Sequence, residues 1–356
     1  MKNQTRILLT GGGTAGHVWP IVSVIEKLQQ NGIRSIYVGS ANGIEKEIIK
    51  TQAINFRGIL VGKIRNYFSF YNFIDPFKIL IGIIQTFFIV CFYRPNAIFS
   101  KGGYVAFPIL FWAKLFNIPT VAHESDSVLG RANVWAAKFA QKVCLGFPIE
   151  YYDFSKLDQK LINKMVYTGV PIRSIFFNLE KEKFDRPVIL ITGGSQGSTA
   201  INLVVDKIID ELLSKYEVFH LTGKLDFVKM KKIANEHYHV FTFTDRLPQM
   251  MANADLIVTR AGSTLAEISA LGKASIVIPL PWASLDHQAN NAKIYQENRA
   301  TEVIPEKNLT PEILLSIINR LMNDGYYRHS LGEHAKIFTN PSSADEIANL
   351  LNEVKK

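Results

Sequence analysis

At two places in this sequence an apolar, strand-like run gives way to glycines and then to a helical pattern. Ile7-Leu8-Leu9-Thr10 runs into Gly11-Gly12-Gly13-Thr14-Ala15-Gly16, and Val188-Ile189-Leu190-Ile191 runs into Thr192-Gly193-Gly194-Ser195-Gln196-Gly197. Glycine permits a tight turn that brings amide N–H groups close to a phosphate, and a helix start favours negative charge. His17 follows the first loop directly. An imidazole with a pKa of about 6.5 suits the uptake of a hydroxyl proton, and a helix start is expected to keep it neutral, as a base must be. His123-Glu124 is the competing candidate for the base, and a positioning role is expected for it.

Several chemistries fall away on spacing. Gly11, Gly13 and Gly16 satisfy G-x-G-x-x-G, but a dinucleotide site also needs an acidic residue about 20 positions on, at the end of the second strand. That strand ends Tyr37-Val38-Gly39-Ser40, without a carboxylate. Neither glycine loop runs into Lys-Ser or Lys-Thr, which excludes a P-loop. The 2 cysteines, Cys91 and Cys144, form neither a disulfide framework nor a metal knuckle. No Asp-x-Asp pair occurs, so the usual metal-bound route for a nucleotide sugar is not available and no metal site is expected.

The elements that must carry these loops alternate along the chain. Strand-like runs fall near 6–10, 35–39, 97–100, 119–122, 142–146 and 165–168, then near 187–192, 217–222, 239–243, 255–259 and 275–279. Helical patterns separate them, which predicts an α/β fold with parallel sheets. With 356 residues there is room for two domains. Both halves open on strand, glycines and helix, so two Rossmann-like domains are expected, with ligands outside the carboxyl ends of the strands and a shared site in a cleft. The expected boundaries are 1–168, 169–340 and a last helix over 341–356 that returns to the first domain. The net charge of +9 is uneven: residues 1–170 hold 19 Lys and Arg against 9 Asp and Glu, a net +10, while the rest hold 21 against 22, a net −1. Charge of that kind fits nucleic acid, a membrane surface or phosphorylated substrates, but no basic helix run, zinc finger or RNA-binding aromatic pattern supports nucleic acid.

In order along the chain stand Gly11–His17, Lys101-Gly102-Gly103-Tyr104, His123-Glu124, Gly169-Val170-Pro171-Ile172-Arg173, Gly193–Gly197, Arg260–Glu267 and Asp286-His287-Gln288. This series resembles the MurG family, glycosyltransferase family 28, from about residue 6 to 305. The resemblance implies a GT-B fold of two Rossmann-like domains. It also implies transfer of GlcNAc from UDP-GlcNAc to the muramoyl 4-hydroxyl of lipid I, giving lipid II in peptidoglycan synthesis, with inversion and with neither metal nor cofactor. His17 is then the catalytic base. Thr14, Ala15, Gly16, Arg173, Ser195, Thr244, Ser263, Thr264, Glu267 and Gln288 are assigned to the donor, with Ser195 at the diphosphate or nucleotide, Arg173 and Thr244 near the uracil, Glu267 on the ribose hydroxyls, and Gln288 with Asp286 on the GlcNAc hydroxyls. Gly12, Gly13, Gly102, Gly103 and Tyr104 form the acceptor and phosphate loops, and Asp126 stands where many members carry an asparagine that contacts the donor sugar. Ala15 replaces the family's usual glycine, and alanine there is strained if the position requires positive φ. The alternatives are a GT-B enzyme acting on another lipid such as diacylglycerol, a UDP-GlcNAc 2-epimerase, or a non-catalytic nucleotide-sugar or membrane-binding homologue.

The N-terminal residues Met1 to Arg6 are polar and predict no secretory signal. Ile79 to Tyr93 is apolar over fifteen residues, shorter than the roughly 18–20 a spanning helix needs. The favoured reading is a crossover helix buried against a sheet. The alternative is a helix whose outer face meets a membrane, and Lys63, Arg65, Tyr67, Phe68, Phe70, Tyr71 and Phe73 upstream supply the charge and aromatics of an interfacial surface. An anionic membrane surface is therefore an expected partner, with the protein peripheral on the cytoplasmic face of the bacterial cell membrane.

Overall fold

Apolar runs that are buried on both sides build the two parallel sheets. The computed structural model describes residues 4–63, 71–155 and 157–355. The first sheet contains β1 (Arg6–Thr10), β2 (Arg34–Ser40), β3 (Phe56–Ile59), β4 (Ala97–Ser100), β5 (Thr120–Glu124), β6 (Lys142–Leu145) and β7 (Met165–Tyr167), in the order β3-β2-β1-β4-β5-β6-β7. The second contains β8 (Val188–Thr192), β9 (Glu217–Leu221), β10 (Tyr238–Phe241), β11 (Leu256–Thr259), β12 (Ser275–Val277) and β13 (Glu302–Val303), in the order β10-β9-β8-β11-β12-β13. All the pairings between these strands are parallel. The strand order reverses beside β1 in one sheet and beside β8 in the other, the two strands that lead into glycine loops.

The chain divides into two units, Met1–Arg173 with Asn340–Lys356, and Ser174–Thr339. Residues 168–169 stay with the first unit because three side chains hold them there. His123 Nε2 and Ser343 Oγ both donate to the Gly169 carbonyl, at 2.9 and 3.0 Å, and Asn340 Nδ2 donates to the Thr168 carbonyl at 3.0 Å. In the first unit, Ile7 and Leu9 face one core with the Ala15–Gln30 helix, while Leu8 faces another on the opposite side of the sheet. The Ser343–Val354 helix sends Ile347, Ala348 and Leu351 into the first of these cores. Fully burying side chains such as Ile347 and Leu351 contributes roughly 1.5–3 kcal/mol each.

The apolar segment differs from its sequence reading. Its helix spans Tyr71–Tyr93, 23 residues rather than fifteen. Only one side of it is buried against the sheet, where Val90 joins Leu8, Val38 and Ile98, and just 17% of its apolar window is covered. Length and composition match those of a membrane-crossing helix, but one side is fastened to the unit. Gln85 Oε1 accepts from the Leu60 amide at 2.8 Å, Trp112 Nε1 donates to the Ile83 carbonyl at 2.8 Å, and Thr86 Oγ1 reaches the Pro108 carbonyl at 3.3 Å. The other side presents Phe73, Phe77, Leu80, Ile84, Phe88 and Phe92, all exposed. Arg65, Tyr67, Phe68 and Phe70 lie outside the described residues.

Candidate active site

Around β1 and β4 the first unit gathers most of its expected site residues. The loop after β1 packs on the loop after β4 so closely that a Cβ on Gly103 would lie 2.8 Å from the Gly12 carbonyl oxygen. The Tyr104 ring closes over Gly13, where a Cβ would lie 2.9 Å from Cε1. Gly13 has φ +94°, a conformation left to glycine. Thr14 is the N-cap of the Ala15–Gln30 helix, and its Oγ1 lies 3.2 Å from His17 Nδ1. The His17 amide donates to the Thr14 carbonyl at 3.1 Å, and the half-buried ring stands in the first turn. Ala15 and Gly16 are both helical and neither has positive φ. The strain considered for Ala15 is therefore absent: the left-handed turn is completed at Gly13, before alanine begins.

Two buried side chains that the sequence reading missed fasten this loop. Tyr37 Oη donates to the Gly11 carbonyl at 2.9 Å, and Glu45 Oε1 accepts the Gly13 amide at 2.6 Å. The Gly13 N–H expected to cradle phosphate is thus already bonded to a carboxyl group. No local pattern marks Glu45, because its partner lies 32 residues away.

The next strand end is structural in character. His123 is wholly buried and its Nε2 faces a carbonyl, so Nε2 carries the proton. Burial pushes its pKa well down and the Lys101 ammonium pushes it further, so the ring is neutral. Glu124 accepts from the Asp126 amide at 3.1 Å, the Gly130 amide at 2.8 Å and Asn133 Nδ2 at 2.9 Å, which organises the loop it begins. Burial raises the Glu124 pKa and the Asp126 charge adds to the rise. Asp126 is half-buried, and its carbonyl accepts from Tyr152 Oη at 2.9 Å. Lys101, between the β4 end and Gly102, is buried, and burial lowers its pKa against the opposing pull of Glu124 and Asp126. A Cβ on Gly102 would lie 2.8 Å from Asn133 Oδ1.

In the second unit the donor-side residues follow the strand ends in turn. Ser195 lies in the loop after β8, Thr244 beyond β10, Ser263, Thr264 and Glu267 after β11, and Asp286 and Gln288 after β12. The Thr199–Leu213 helix begins at Ser198, whose Oγ accepts the Ile201 amide. Gly197 has φ +79°, and a Cβ there would lie 2.1 Å from the Thr222 carbonyl. Glu267 is in the first turn of the Thr264–Ala270 helix. Thr244 Oγ1 accepts the Arg246 amide at 3.1 Å, and Gln288 Oε1 accepts the Leu280 amide at 3.0 Å, leaving the Gln288 amide nitrogen to donate. Leu285 and Asp286 have φ of 56° and 52°, two consecutive left-handed residues just before Gln288. Arg260, quoted in the motif without a role, links Ser198, the Ile278 carbonyl and Glu306 at 2.5, 3.0 and 2.5 Å.

Four residues assigned to the donor lie in the first unit: Thr14, Ala15, Gly16 and Arg173. The Arg173 guanidinium carbon lies 3.9 Å from the centre of the Trp19 ring. Each strand-end group combines backbone donors, helix starts and a few polar side chains, which suits an anionic leaving group on one side and a hydroxyl nucleophile on the other.

Residues 7–145 match the glycosyltransferase family 28 N-terminal domain, and residues 188–347 match the family's C-terminal domain. The Clostridium tetani UDP-N-acetylglucosamine–N-acetylmuramyl-(pentapeptide) pyrophosphoryl-undecaprenol N-acetylglucosamine transferase is 37% identical, over 99% of this chain and 98% of its own. Acinetobacter baumannii MurG superposes with a TM-score of 0.72 at 26% identity, covering 98% of this chain and 99% of its own. S. aureus MnaA, solved with UDP, reaches the same TM-score at 14% identity over 97% and 95% of the two chains, a likeness of fold alone.

Proposed function

The chain belongs to glycosyltransferase family 28, and on that premise we propose that it is the transferase its relatives are named for. It moves N-acetylglucosamine from UDP-GlcNAc to the muramoyl sugar of lipid I and forms lipid II, a hexosyl transfer of peptidoglycan synthesis. The near full-length match at 37% identity to a transferase of that name carries this reading.

The chemistry follows from what each unit holds. With Nδ1 at Thr14 Oγ1, His17 is the base that takes the proton of the muramoyl 4-hydroxyl. The hydroxyl oxygen forms its bond to the anomeric carbon as the bond from that carbon to the UDP oxygen breaks, which inverts the centre. The departing diphosphate takes up the electron pair, and the Ser195 and Gln196 amides with the start of the Thr199–Leu213 helix stabilise its charge. The Gly194 and Gly197 amides are bonded instead to Thr192 Oγ1 and the Gly194 carbonyl. Glu267 accepts the ribose hydroxyls, Thr244 and Arg173 serve the uracil, and Gln288 with Asp286 holds the sugar. These protein groups perform the stabilisation without a metal.

The exposed face of the Tyr71–Tyr93 helix supports peripheral docking on the cytoplasmic face of the membrane. Its aromatic and aliphatic side chains continue in Phe111 and Leu115 of the neighbouring Phe107–Leu115 helix, with Lys63, Arg94 and Lys114 at the margins. Apolar insertion plus cationic attraction to lipid phosphates holds a protein at an interface. An acceptor with an undecaprenyl tail is met there without leaving the bilayer.

The test is transfer from UDP-GlcNAc to a lipid I analogue, with a diacylglycerol control and EDTA present. The expected product is the GlcNAc-extended acceptor, with diacylglycerol untouched. Failure to extend lipid I while UDP-GlcNAc still binds overturns the acceptor assignment, and activity lost in EDTA and restored by magnesium overturns metal independence.

A further inference from the structure

Glu45 lies in the first turn of the Ile44–Lys50 helix, yet its side chain is directed inward and is wholly buried. One carboxyl oxygen accepts the Gly13 amide at 2.6 Å, and the other has no hydrogen-bond partner among the described residues. The fit is tight. A Cβ on Gly12 would lie 1.8 Å from Oε1 and a Cβ on Gly43 1.8 Å from Oε2, so two glycines on separate loops keep the space this group fills. A buried carboxyl group costs several kcal/mol unless it is bonded or neutral. Burial indeed raises its pKa, against the pull of its amide hydrogen bonds.

We propose that Glu45 is a positioning residue of the transfer reaction: its carboxyl group, seated inside the first glycine loop, holds the Gly13 amide inward and thereby sets Thr14 and His17. The inference rests on His17 acting in the reaction as described above. The connection is short. Gly13 precedes Thr14, the Thr14 carbonyl accepts the His17 amide, and Thr14 Oγ1 meets the imidazole. Tyr37 holds the same loop two residues earlier, at the Gly11 carbonyl, so the loop is pinned at a donor and at an acceptor. The inward amide also keeps an acidic group directly behind the loop, so the acceptor diphosphate takes its donors from elsewhere than Gly13.

The experiment compares wild type, Glu45→Ala, Glu45→Gln, Gly43→Ala and the Gly43→Ala/Glu45→Ala pair. Each is assayed for kcat, for KM toward a lipid I analogue and for UDP-GlcNAc affinity, with far-UV circular dichroism as the folding control. Displacing a reacting group by about 1 Å can cost about 100-fold, so Glu45→Ala is expected to lower kcat by roughly 10- to 100-fold. UDP-GlcNAc affinity falls by less than kcat, since Thr14, Ala15 and Gly16 are only part of the donor set and the rest lies outside this loop. Glu45→Gln, which keeps an oxygen for the Gly13 amide, recovers most of the loss. Gly43→Ala pushes on Oε2 and lowers kcat, but adds nothing once Glu45 is alanine. Wild-type kcat in Glu45→Ala, or a loss that glutamine does not repair, overturns the proposal. If Glu45→Ala fails to fold, Gly43→Ala decides, and unchanged kcat there is equally fatal. Wild type that binds UDP-GlcNAc but extends no lipid I analogue rejects the assigned function instead.

Discussion

Arg260 Nη2 lies 2.5 Å from Ser198 Oγ, so the residue that follows β11 grips the cap of the helix that follows β8. These are the two strands between which the order of the second sheet reverses. The same guanidinium reaches the Ile278 carbonyl beyond β12 and pairs with Glu306. One buried side chain thus joins three of the loops that carry donor-side residues.

Arg260→Ala is accordingly expected to cost about 3 kcal/mol of stability, because it strands the Glu306 carboxylate and removes donors from a buried hydroxyl and carbonyl. UDP-GlcNAc affinity falls with it. Urea denaturation and titration with UDP-GlcNAc measure the two effects; stability within about 0.5 kcal/mol of wild type, the range of ordinary surface changes, refutes the clamp.

His17→Ala is expected to lower kcat by about 100- to 10,000-fold, the usual worth of a general base. UDP-GlcNAc affinity remains, since the imidazole's role is to take the acceptor proton. Turnover at the wild-type level removes His17 from the reaction.

Replacing Phe77 and Phe88 by Asp removes two exposed aromatics from the face of the Tyr71–Tyr93 helix, each worth about 1.5–3 kcal/mol when buried in an apolar phase. Retention on anionic vesicles in a flotation assay is expected to drop sharply, while transfer to a short-chain, water-soluble acceptor continues. High salt weakens wild-type retention through the screened cations at the margin. Equal retention of both proteins at all salt concentrations contradicts membrane docking by this face.

His220 gives the second unit a dependence on acid. Its Nε2–H donates to Asn202 Oδ1 at 3.0 Å and its Nδ1 accepts from Tyr238 Oη at 2.8 Å. Burial pushes its pKa down to about 3. Between that value and the ordinary value of about 6.5, the unfolded chain binds a proton that the folded chain refuses. Stability is therefore full above about 6.5 and falls toward pH 3 by about 1.4 kcal/mol per unit. Urea midpoints at several pH values are expected to show a shallower acid slope for His220→Gln than for wild type, and identical slopes count against this origin.

Ala15→Gly restores the glycine that the family pattern favours, but it is expected to bring no gain in kcat. Position 15 is helical, where glycine costs up to about 1 kcal/mol relative to alanine. Thermal melting and a transfer assay measure both; a clear rise in kcat shows that this residue needs more freedom than the helix gives it.

The interior of each sheet was legible because strands buried on both faces are apolar throughout and end where glycine or polar residues begin. The strands that escaped were β3 and β13, both at sheet edges. Phe56-Arg57-Gly58-Ile59 exposes Arg57 and Gly58, and Glu302-Val303 is two half-buried residues, so neither carries a strand's apolar signal. The uncharged run that marks the long helix starts only at Ile79, after Lys78, whereas the helix itself begins at Tyr71 and carries the Asp75–Lys78 ion pair, at 3.3 Å, within its first turns. The donor-side residues were given their roles by the family resemblance, and they fall beyond strand ends, where α/β sheets place ligands. Glu45, Tyr37 and Arg260 were given none, because each acts on a loop distant in sequence.

The Ser343–Val354 helix completes the core of the first unit, while the second unit is one uninterrupted segment, Ser174–Thr339. During synthesis the ribosome therefore delivers the whole second unit before it releases the helix that seals the first. The second unit can reach its native state while the first still exposes the groove that Ile347 and Leu351 fill. Maturation of the half that carries His17 thus waits until the second unit has been made in full.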